Sequence, residues 1–411
     1  MLTTLKIMLK PNKIQENQLI KSAGTARFVY NWALNVQLEN YKSGGKFIKD
    51  SILRKQLTKI KQTEEYSWLF EVSNNISKQA IKDLCLAYKN FFNTQRNPKT
   101  KGFSKKTIEK SKRQNRELTS YDLIGHPKFK SKKNSTISFY NDPITLCVKK
   151  DKVLLEKIGW VKINELLPEK LSQIDKTVKF YNPRITFDGK YWYISVGIDK
   201  EIPVVELTDN SIGIDLGIKE LAVTSDNEVY SNINKTTKVK NLKKRLKRKQ
   251  RQLSRKYLMN KEGDKFKKTK NIIKLEDKVK LLNRRLANIR NNYLHQITTK
   301  IVKTKPRQVV MEDLNIKGMM KNRHLSKAIG EQGFNKFITY MKYKSEKLGI
   351  SFIQVGRFYL SSKMCSSCFN IKKDLKLKDR IYSCSNIECE LHKSPIDRDY
   401  NASLNLSRYI A

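Results

Sequence analysis

From Thr3 to Leu9 polar and apolar residues alternate, the period of a strand with one buried face, and Pro11 closes the run. A strand alone at the start has no partner next to it, so it must pair with one further along. The pattern then lengthens to helical spacing. Between Lys13 and Tyr41, Phe28, Val29, Trp32, Leu34, Val36 and Leu38 are interleaved with polar residues until Gly44-Gly45 stops the run. Helices are expected again at about 48–62 and 75–93, the second with Ile76, Ala80, Leu84, Ala87, Tyr88, Phe91 and Phe92 three and four apart. Together these make a small helical domain.

Beyond a Lys-, Arg-, Asn- and Ser-rich stretch at 94–135, strand patterns take over. Ser135–Tyr140, Ile144–Lys149 and Lys152–Leu155 are short β-like runs, and Arg184–Phe187 and Tyr191–Val196 flank Asp188-Gly189, a hairpin signal. A small antiparallel barrel is expected, to which the first strand returns. A new unit opens at Ser211-Ile-Gly-Ile-Asp-Leu-Gly, a strand and a glycine turn, followed by a second strand at Leu221-Ala-Val-Thr. Next comes a helical hairpin. Its first helix keeps a stripe of Leu242, Leu246, Leu253 and Tyr257, and after a break at Gly263 its second carries Leu275, Val279, Leu282, Leu286, Ile289 and Tyr293, a coiled-coil seam.

Charge changes the picture. The 411 residues hold 85 Lys and Arg against 39 Asp and Glu, a formal charge of +46. A compact body with that charge repels itself unless a polyanion neutralises it, which points to nucleic acid. In that light 94–135 reads as a mobile or RNA-ordered connection. Between Lys235 and Lys256, twelve of 22 residues are basic and none is acidic, so the hairpin reads as an arm facing nucleic acid in preference to a merely solvated helix pair. No window approaches the roughly 20 apolar residues of a membrane span, and Met1-Leu-Thr-Thr-Leu-Lys has no signal-peptide core. A cytoplasmic protein, nucleoid-associated when bound to DNA, is expected. Charge alone fits a basic structural protein equally well, so motifs must decide for chemistry.

Three acids stand at the edges of elements in apolar or basic surroundings. Asp215 lies between Ile214 and Leu216, Glu312 ends the apolar run Val309-Val310-Met311, and Asp399 opens a helix expected over Tyr400–Ile410, just after Asp397-Arg398. Singly, each reads as an N-cap or a solvated strand end. Three on separate elements of one α/β unit suit phosphodiester hydrolysis by two Mg²⁺ ions about 4 Å apart, which needs hard oxygen ligands converging from different elements. The four histidines are scattered and offer no nucleophilic triad.

Of six cysteines, Cys85 and Cys147 are isolated. Cys365 and Cys368 form C-x₂-C, and fifteen residues later Cys384 and Cys389 form C-x₄-C. Two thiolate pairs at this spacing make a closed, structural Zn²⁺ ribbon. The stretched second pair leaves His392 as an alternative fourth ligand. No helix-turn-helix or tandem finger array is evident to read the major groove.

The motifs together resemble the TnpB (OrfB) family of insertion-sequence proteins, which are similar to the type V CRISPR effector nucleases. The resemblance spans nearly the whole chain through Ala26-Arg-Phe-Val-Tyr-Asn-Trp-Ala-Leu, Pro127-Lys-Phe-Lys-Ser-Lys, Gly213-Ile-Asp-Leu-Gly, Val310-Met-Glu-Asp-Leu-Asn, Ser362-Lys-Met-Cys-Ser-Ser-Cys and Asp397-Arg-Asp-Tyr-Asn-Ala-Ser-Leu-Asn. It implies that Asp215, Glu312 and Asp399 bind two catalytic Mg²⁺ ions, with Asp397 the lesser candidate, and that Cys365, Cys368, Cys384 and Cys389 hold one Zn²⁺. The fold it implies is α+β and multidomain. A wedge β-barrel (1–10 and 120–205) carries an inserted helical recognition lobe (11–119), followed by an RNase H-like, RuvC-type α/β domain (206–411) with the basic hairpin (235–300) and a zinc-ribbon insertion (360–395). It further implies a guide RNA from the element end, held one per monomer, and target DNA chosen by base pairing beside a short motif read by the protein. Phe369 departs from the glycine usual in the family after the second cysteine, and the Cys384–Cys389 spacing is stretched.

For nucleic-acid contact the candidates are Arg27, Tyr30 and Asn31 in the first helix, Lys128 and Lys130 before the strands, and Lys244, Arg245, Arg248 and Arg251 on the hairpin. Tyr30 is as well suited to the core as to stacking. Arg380, near the ribbon, is a candidate for the scissile phosphate or an ordinary surface residue. Rival readings are a compact type V effector, a non-cleaving RNA-guided binder, and a transposition accessory.

Overall fold

The computed structural model describes residues 2–132, 136–167, 178–199, 201–202, 205–263, 265–376 and 379–409, in two units that divide near residue 200. Ser135 and Ile410, each at the end of an expected element, lie outside the described residues. No helix among them is long and apolar enough to cross a membrane.

In the first unit β1 (Leu2–Lys10) leads into α1 (Lys13–Lys42), α2 (Asp50–Lys61), α3 (Asn74–Arg96) and α4 (Lys105–Arg113), then β2 (Ile137–Tyr140), β3 (Cys147–Val148), β4 (Lys152–Leu155), β5 (Gly159–Ile163), β6 (Phe180–Phe187) and β7 (Trp192–Asp199). A capping box starts α1: the Asn12 side chain accepts from Gln15 N (2.8 Å), and Gln15 accepts from Asn12 N (3.1 Å). Val29, Leu34, Leu53, Leu69, Ile81 and Leu84 interlock as the core of the helices. The lone first strand finds its partners late in the unit, antiparallel to β7 from Leu2 opposite Asp199 to Leu9 opposite Trp192, and to β5 at Leu9 opposite Ile163. Strict alternation then buries Trp192, Ile194, Val196 and Ile198 beside Ile7 and Leu9. At the β6–β7 turn Asp188 Oδ1 accepts from Lys190 N (3.0 Å) and Tyr191 N (2.9 Å), and Gly189 takes φ +96°.

Three expectations are corrected here. The sheet runs β2-β6-β7-β1-β5-β4-β3, with two ends, so among the described residues it is open and not a closed barrel. Its ends are strands of only four and two residues. The run expected over Ile144–Lys149 shrinks to Cys147–Val148, leaving Ile144 91% exposed. The stretch 94–135 is also not a mere connection across its described part. It contains α4, capped by Ser104, and His126 is buried against the rings of Tyr88, Phe91 and Tyr121. A few aromatic anchors order a segment whose composition is otherwise that of a linker.

The second unit is built on β8 (Thr208–Leu216), β9 (Glu220–Thr224) and β10 (Val229–Ser231), the helices α5 (Thr237–Met259) and α6 (Lys270–Lys303), joined through the short strands β11 (Lys261–Glu262) and β12 (Lys265–Phe266), and β13 (Pro306–Glu312). There follow α7 (Ile316–Met319), α8 (Ser326–Gln332), α9 (Phe334–Leu348), β14 (Ser351–Val355), β15 (Ile381–Tyr382), α10 (Glu390–Lys393), β16 (Ile396–Asp397) and α11 (Arg398–Ser407). The sheet order is β10-β9-β8-β13-β14, antiparallel across the first three strands and parallel from β8 through β13 to β14. Val309-Val310-Met311 is apolar without alternation because helices cover both faces. Val309 and Met311 join Ile212 and Ile214 against Leu294, Ile297 and Ile301 of α6 and Phe334, Phe337 and Met341 of α9, while Val310 packs with Val355 and Leu406 of α11.

Gly213, between Ile212 and Ile214, faces α11. A Cβ there would lie 1.9 Å from Ser403 O and 2.4 Å from Ser407 N, so only glycine lets the helix backbone rest on the strand. Gly213→Ala is expected to force α11 off β8 and to cost about 3 kcal/mol, the upper end of ordinary overpacking, since backbone cannot give way as a side chain can. Urea unfolding checks this. A midpoint equal to wild type contradicts it.

Candidate catalytic centre and cysteine cluster

Register places the first two acids. Ile214 of β8 is opposite Met311 of β13, so Asp215 and Glu312 are the next residues along adjacent parallel strands, at their carboxyl ends. Asp215 shares the face of Gly213, and Glu312 that of Val310, which is the α11 face. The third acid comes from that helix. Asp397 is its N-cap, its Oδ1 accepting from Asp399 N (2.8 Å) and Tyr400 N (3.1 Å). The cap thus occupies Asp397 and leaves the Asp399 side chain, in the first turn, directed to the strand ends.

The three carboxylates are electrostatically one group. The Asp215 carboxyl is enclosed although the residue keeps some surface; burial first, then the neighbouring Glu312 and Asp399, push it up to about 8, with Arg398 opposing. Arg398 Nη2 donates to Asp399 Oδ1 (3.1 Å), and the exposed Arg380 reaches the edge of this centre, its Nη1 3.8 Å from Asp399 Oδ2. Ser361, 1% exposed and not singled out by sequence, donates its hydroxyl to Glu312 Oε1. Asp313, adjacent to Glu312, is instead paired with Arg357 (2.8 Å). An enclosed carboxyl raised by burial and by two neighbouring acids suits a divalent cation, which removes the repulsion and takes hard oxygen donors.

The four cysteines also converge, with all Sγ atoms within 4.8 Å of one another, Cys365 to Cys389 at 3.6 Å and Cys368 to Cys384 at 3.5 Å. Burial pushes the Cys365 thiol up to about 12, so a thiolate there requires a cation beside it. The set fits tetrahedral Zn²⁺. His392 stands apart, its Nδ1 2.8 Å from the Cys384 carbonyl, and the stretched Cys384–Cys389 spacing is taken up by a turn in which Cys389 N donates to the Asn386 carbonyl (3.1 Å). Phe369 holds φ +61°, the left-handed conformation that glycine adopts without strain.

Nucleic-acid candidates are placed unevenly. Lys244, Arg245, Arg248 and Arg251 are all exposed on α5, whose Val239 and Leu242 pack on Leu282 and Leu286 of α6. Arg27 is half-buried beside a cavity of about 320 Å³ that Asp83, Lys130 and Arg184 also line. Tyr30 is buried in the helical core with Lys130 Nζ 3.7 Å from its ring centroid, so its face is not free to stack. The Asn31 amide is spent on the backbone of Lys130, donating to its carbonyl and accepting from its N–H, both at 2.8 Å. Lys128 lies over the Tyr121 ring at 3.6 Å and donates to the Tyr121 carbonyl.

Comparisons with known proteins give the family. Residues 193–323 match the OrfB IS605 family, described as "Probable transposase"; residues 334–406 match the Cas12f1-like TNB domain; and residues 1–46 match the helix-turn-helix domain of OrfB IS605 proteins. In this structure the described part of 1–46 is one strand and one unbroken helix. The three matches together span more than half of the sequence. The chain belongs to the TnpB (OrfB) family of insertion-sequence proteins, related to the Cas12 effectors. Over 421 residues it is 28% identical to an Escherichia coli K12 protein named "Putative RNA-guided DNA endonuclease InsQ", covering 98% of this chain and 91% of that one. A Streptomyces pristinaespiralis protein, with the same name less its last word, is 27% identical over 402 residues, covering 98% and 87%. A solved Cas12f1 chain, from a complex with sgRNA and target DNA, aligns over 99% of each chain at 13% identity and a TM-score of 0.49.

Two outcomes are expected. Purified protein should carry one zinc per chain by elemental analysis; Cys384→Ser should lose it and His392→Ala keep it, and the reverse would place the histidine in the ribbon. The second concerns pH. The folded Asp215 carboxyl titrates near 8 against 3.8 when free, so the folded chain holds a proton that the unfolded chain releases. The stability tied to that proton is complete below about pH 4 and lost as pH rises toward about 8. In chelator, Asp215→Asn should therefore melt above wild type at about pH 8 and converge with it near pH 4; equal midpoints at the higher pH contradict the crowded-acid picture.

Proposed function

We propose that this chain is an RNA-guided DNA endonuclease of an insertion sequence, which hydrolyses DNA complementary to a bound guide RNA at the centre formed by Asp215, Glu312 and Asp399. The observation that carries this is the convergence of three acids from β8, β13 and α11, raising the Asp215 carboxyl, in a chain of charge +46. Family membership and relatives named for RNA-guided DNA cleavage support the same reading. Within it, residues 206–411 are the RuvC-type nuclease domain with the arm 235–300 and the ribbon 360–395. Residues 1–10 and 120–205 form the wedge, and 11–119 the recognition lobe.

Two Mg²⁺ ions, when bound, supply Lewis acidity toward water and the scissile phosphate. The residues supply the rest. Asp215, Glu312 and Asp399 offer hard oxygens fixed by two strands and a helix, so little reorganisation accompanies cation binding. Arg398 holds Asp399, and Arg380, at the longer distance, is placed to turn toward a phosphate oxygen. The exposed bases of α5 take the nucleic-acid backbone, which carries no sequence information. Sequence choice then falls to base pairing by the bound strand, one guide RNA per monomer.

The test uses protein stripped of RNA and given back its copurified RNA, or one with an altered guide segment, in the presence of Mg²⁺. Cleavage should require RNA and follow the guide change, and Asp215→Ala, Glu312→Ala and Asp399→Ala should bind RNA as wild type does while cleaving only at background. Site-specific cleavage without RNA, or an active Asp399→Ala beside an inactive Asp397→Ala, contradicts the reading in its first or second part.

A further inference from the structure

The segment 361–366 connects the catalytic carboxylates to the cysteine cluster, and α11 grips it with two asparagines. Asn401 and Asn405 stand one turn apart and are fully buried. Asn401 Nδ2 donates to the Met364 carbonyl (2.8 Å), and its Oδ1 accepts from Ser366 N (3.0 Å). Asn405 Nδ2 donates to the carbonyls of Ser361 (2.7 Å) and Met364 (2.6 Å). One end of the segment is therefore tied to Glu312 through the Ser361 hydroxyl, its other part contains Cys365, and its middle is bound to the helix that carries Asp399 in its first turn.

Simple packing of a loop on a helix does not call for this arrangement. Apolar contacts would hold it without the cost of burying amides and a hydroxyl. What the polar ties add is direction: each fixes a particular atom, and the Ser361 hydroxyl ends on a carboxylate oxygen of the site itself. Groups that hydrogen-bond a metal ligand set its orientation and its affinity for the cation.

We propose that Ser361, Asn401 and Asn405 are positioning residues that hold Glu312 and Asp399 in register with the four-cysteine cluster, making the ribbon a buttress of the divalent-cation site. This rests on the reading of the three carboxylates as cation ligands. The ribbon's thiolates fix Cys365, Cys365 fixes the Met364 carbonyl before it and the Ser366 N–H after it, and the asparagines that bind these pass that position on to the acids.

The experiment titrates Mn²⁺ into the full chain with its RNA and follows bound Mn²⁺ by electron paramagnetic resonance, with zinc content measured in parallel. Asp215→Ala identifies which binding belongs to the centre. Ser361→Ala should keep one zinc and wild-type RNA binding, yet bind Mn²⁺ about tenfold more weakly, the usual effect of losing a group behind a ligand. Its cleavage should fall at low Mn²⁺ and recover at high Mn²⁺, and Ser361→Thr, which keeps the hydroxyl, should restore the affinity. Asn405→Asp, which removes the donor, should shift Mn²⁺ affinity the same way; if it does not fold, the Ser361 pair decides alone. Wild-type Mn²⁺ affinity in Ser361→Ala, or a loss that Ser361→Thr leaves unrepaired, overturns the inference while the carboxylate reading stands. Mn²⁺ binding in wild type that Asp215→Ala does not reduce overturns that reading and the inference with it.

Discussion

The close seating of α11 on β8 at Gly213 governs the second unit. A helix backbone at van der Waals distance from a strand is possible only where no Cβ intervenes, and Gly213 is that place. From it follows the reach of Asp399 toward Asp215, two residues along the strand, and toward Glu312 on the neighbouring strand. Bringing three acids together opposes folding, as the raised Asp215 carboxyl shows. The apolar layers on both faces of β13 and the polar ties of α11 to segment 361–366 offset that opposition. A site that is destabilising when empty of cations is well suited to bind them tightly.

Much of this was legible in the sequence because its signals are local. The alternation of β1, the Asp188-Gly189 turn, the heptad stripe of α6 and the unbroken apolar run of β13 each declare an element within a few residues. The acids could be singled out because charge beside Ile214 or Met311 is costly without a reason. The cysteine spacing pointed to a cluster that the fold then closes, with His392 left outside on the Cys384 carbonyl.

What sequence did not disclose depends on partners far along the chain. The buried place of Tyr30 is set by Lys130, and the task of Asn31 by the same backbone, a hundred residues away. Ser361 looks like any loop serine until β13 brings Glu312 to it. Linker-like composition at 94–135 hid His126, which joins three aromatic rings contributed by other positions. The open edge of the first unit's sheet is likewise a matter of strand length and pairing, which alternation does not report.

The central claim, that Asp215, Glu312 and Asp399 form one divalent-cation centre, is tested most directly by anomalous diffraction from crystals of the protein grown with Mn²⁺. The account predicts anomalous density bounded by oxygens of all three carboxylates at coordination distance, absent from crystals of Asp215→Asn grown alike. Ordered Mn²⁺ elsewhere, with the three carboxylates bare at saturating metal, would contradict it.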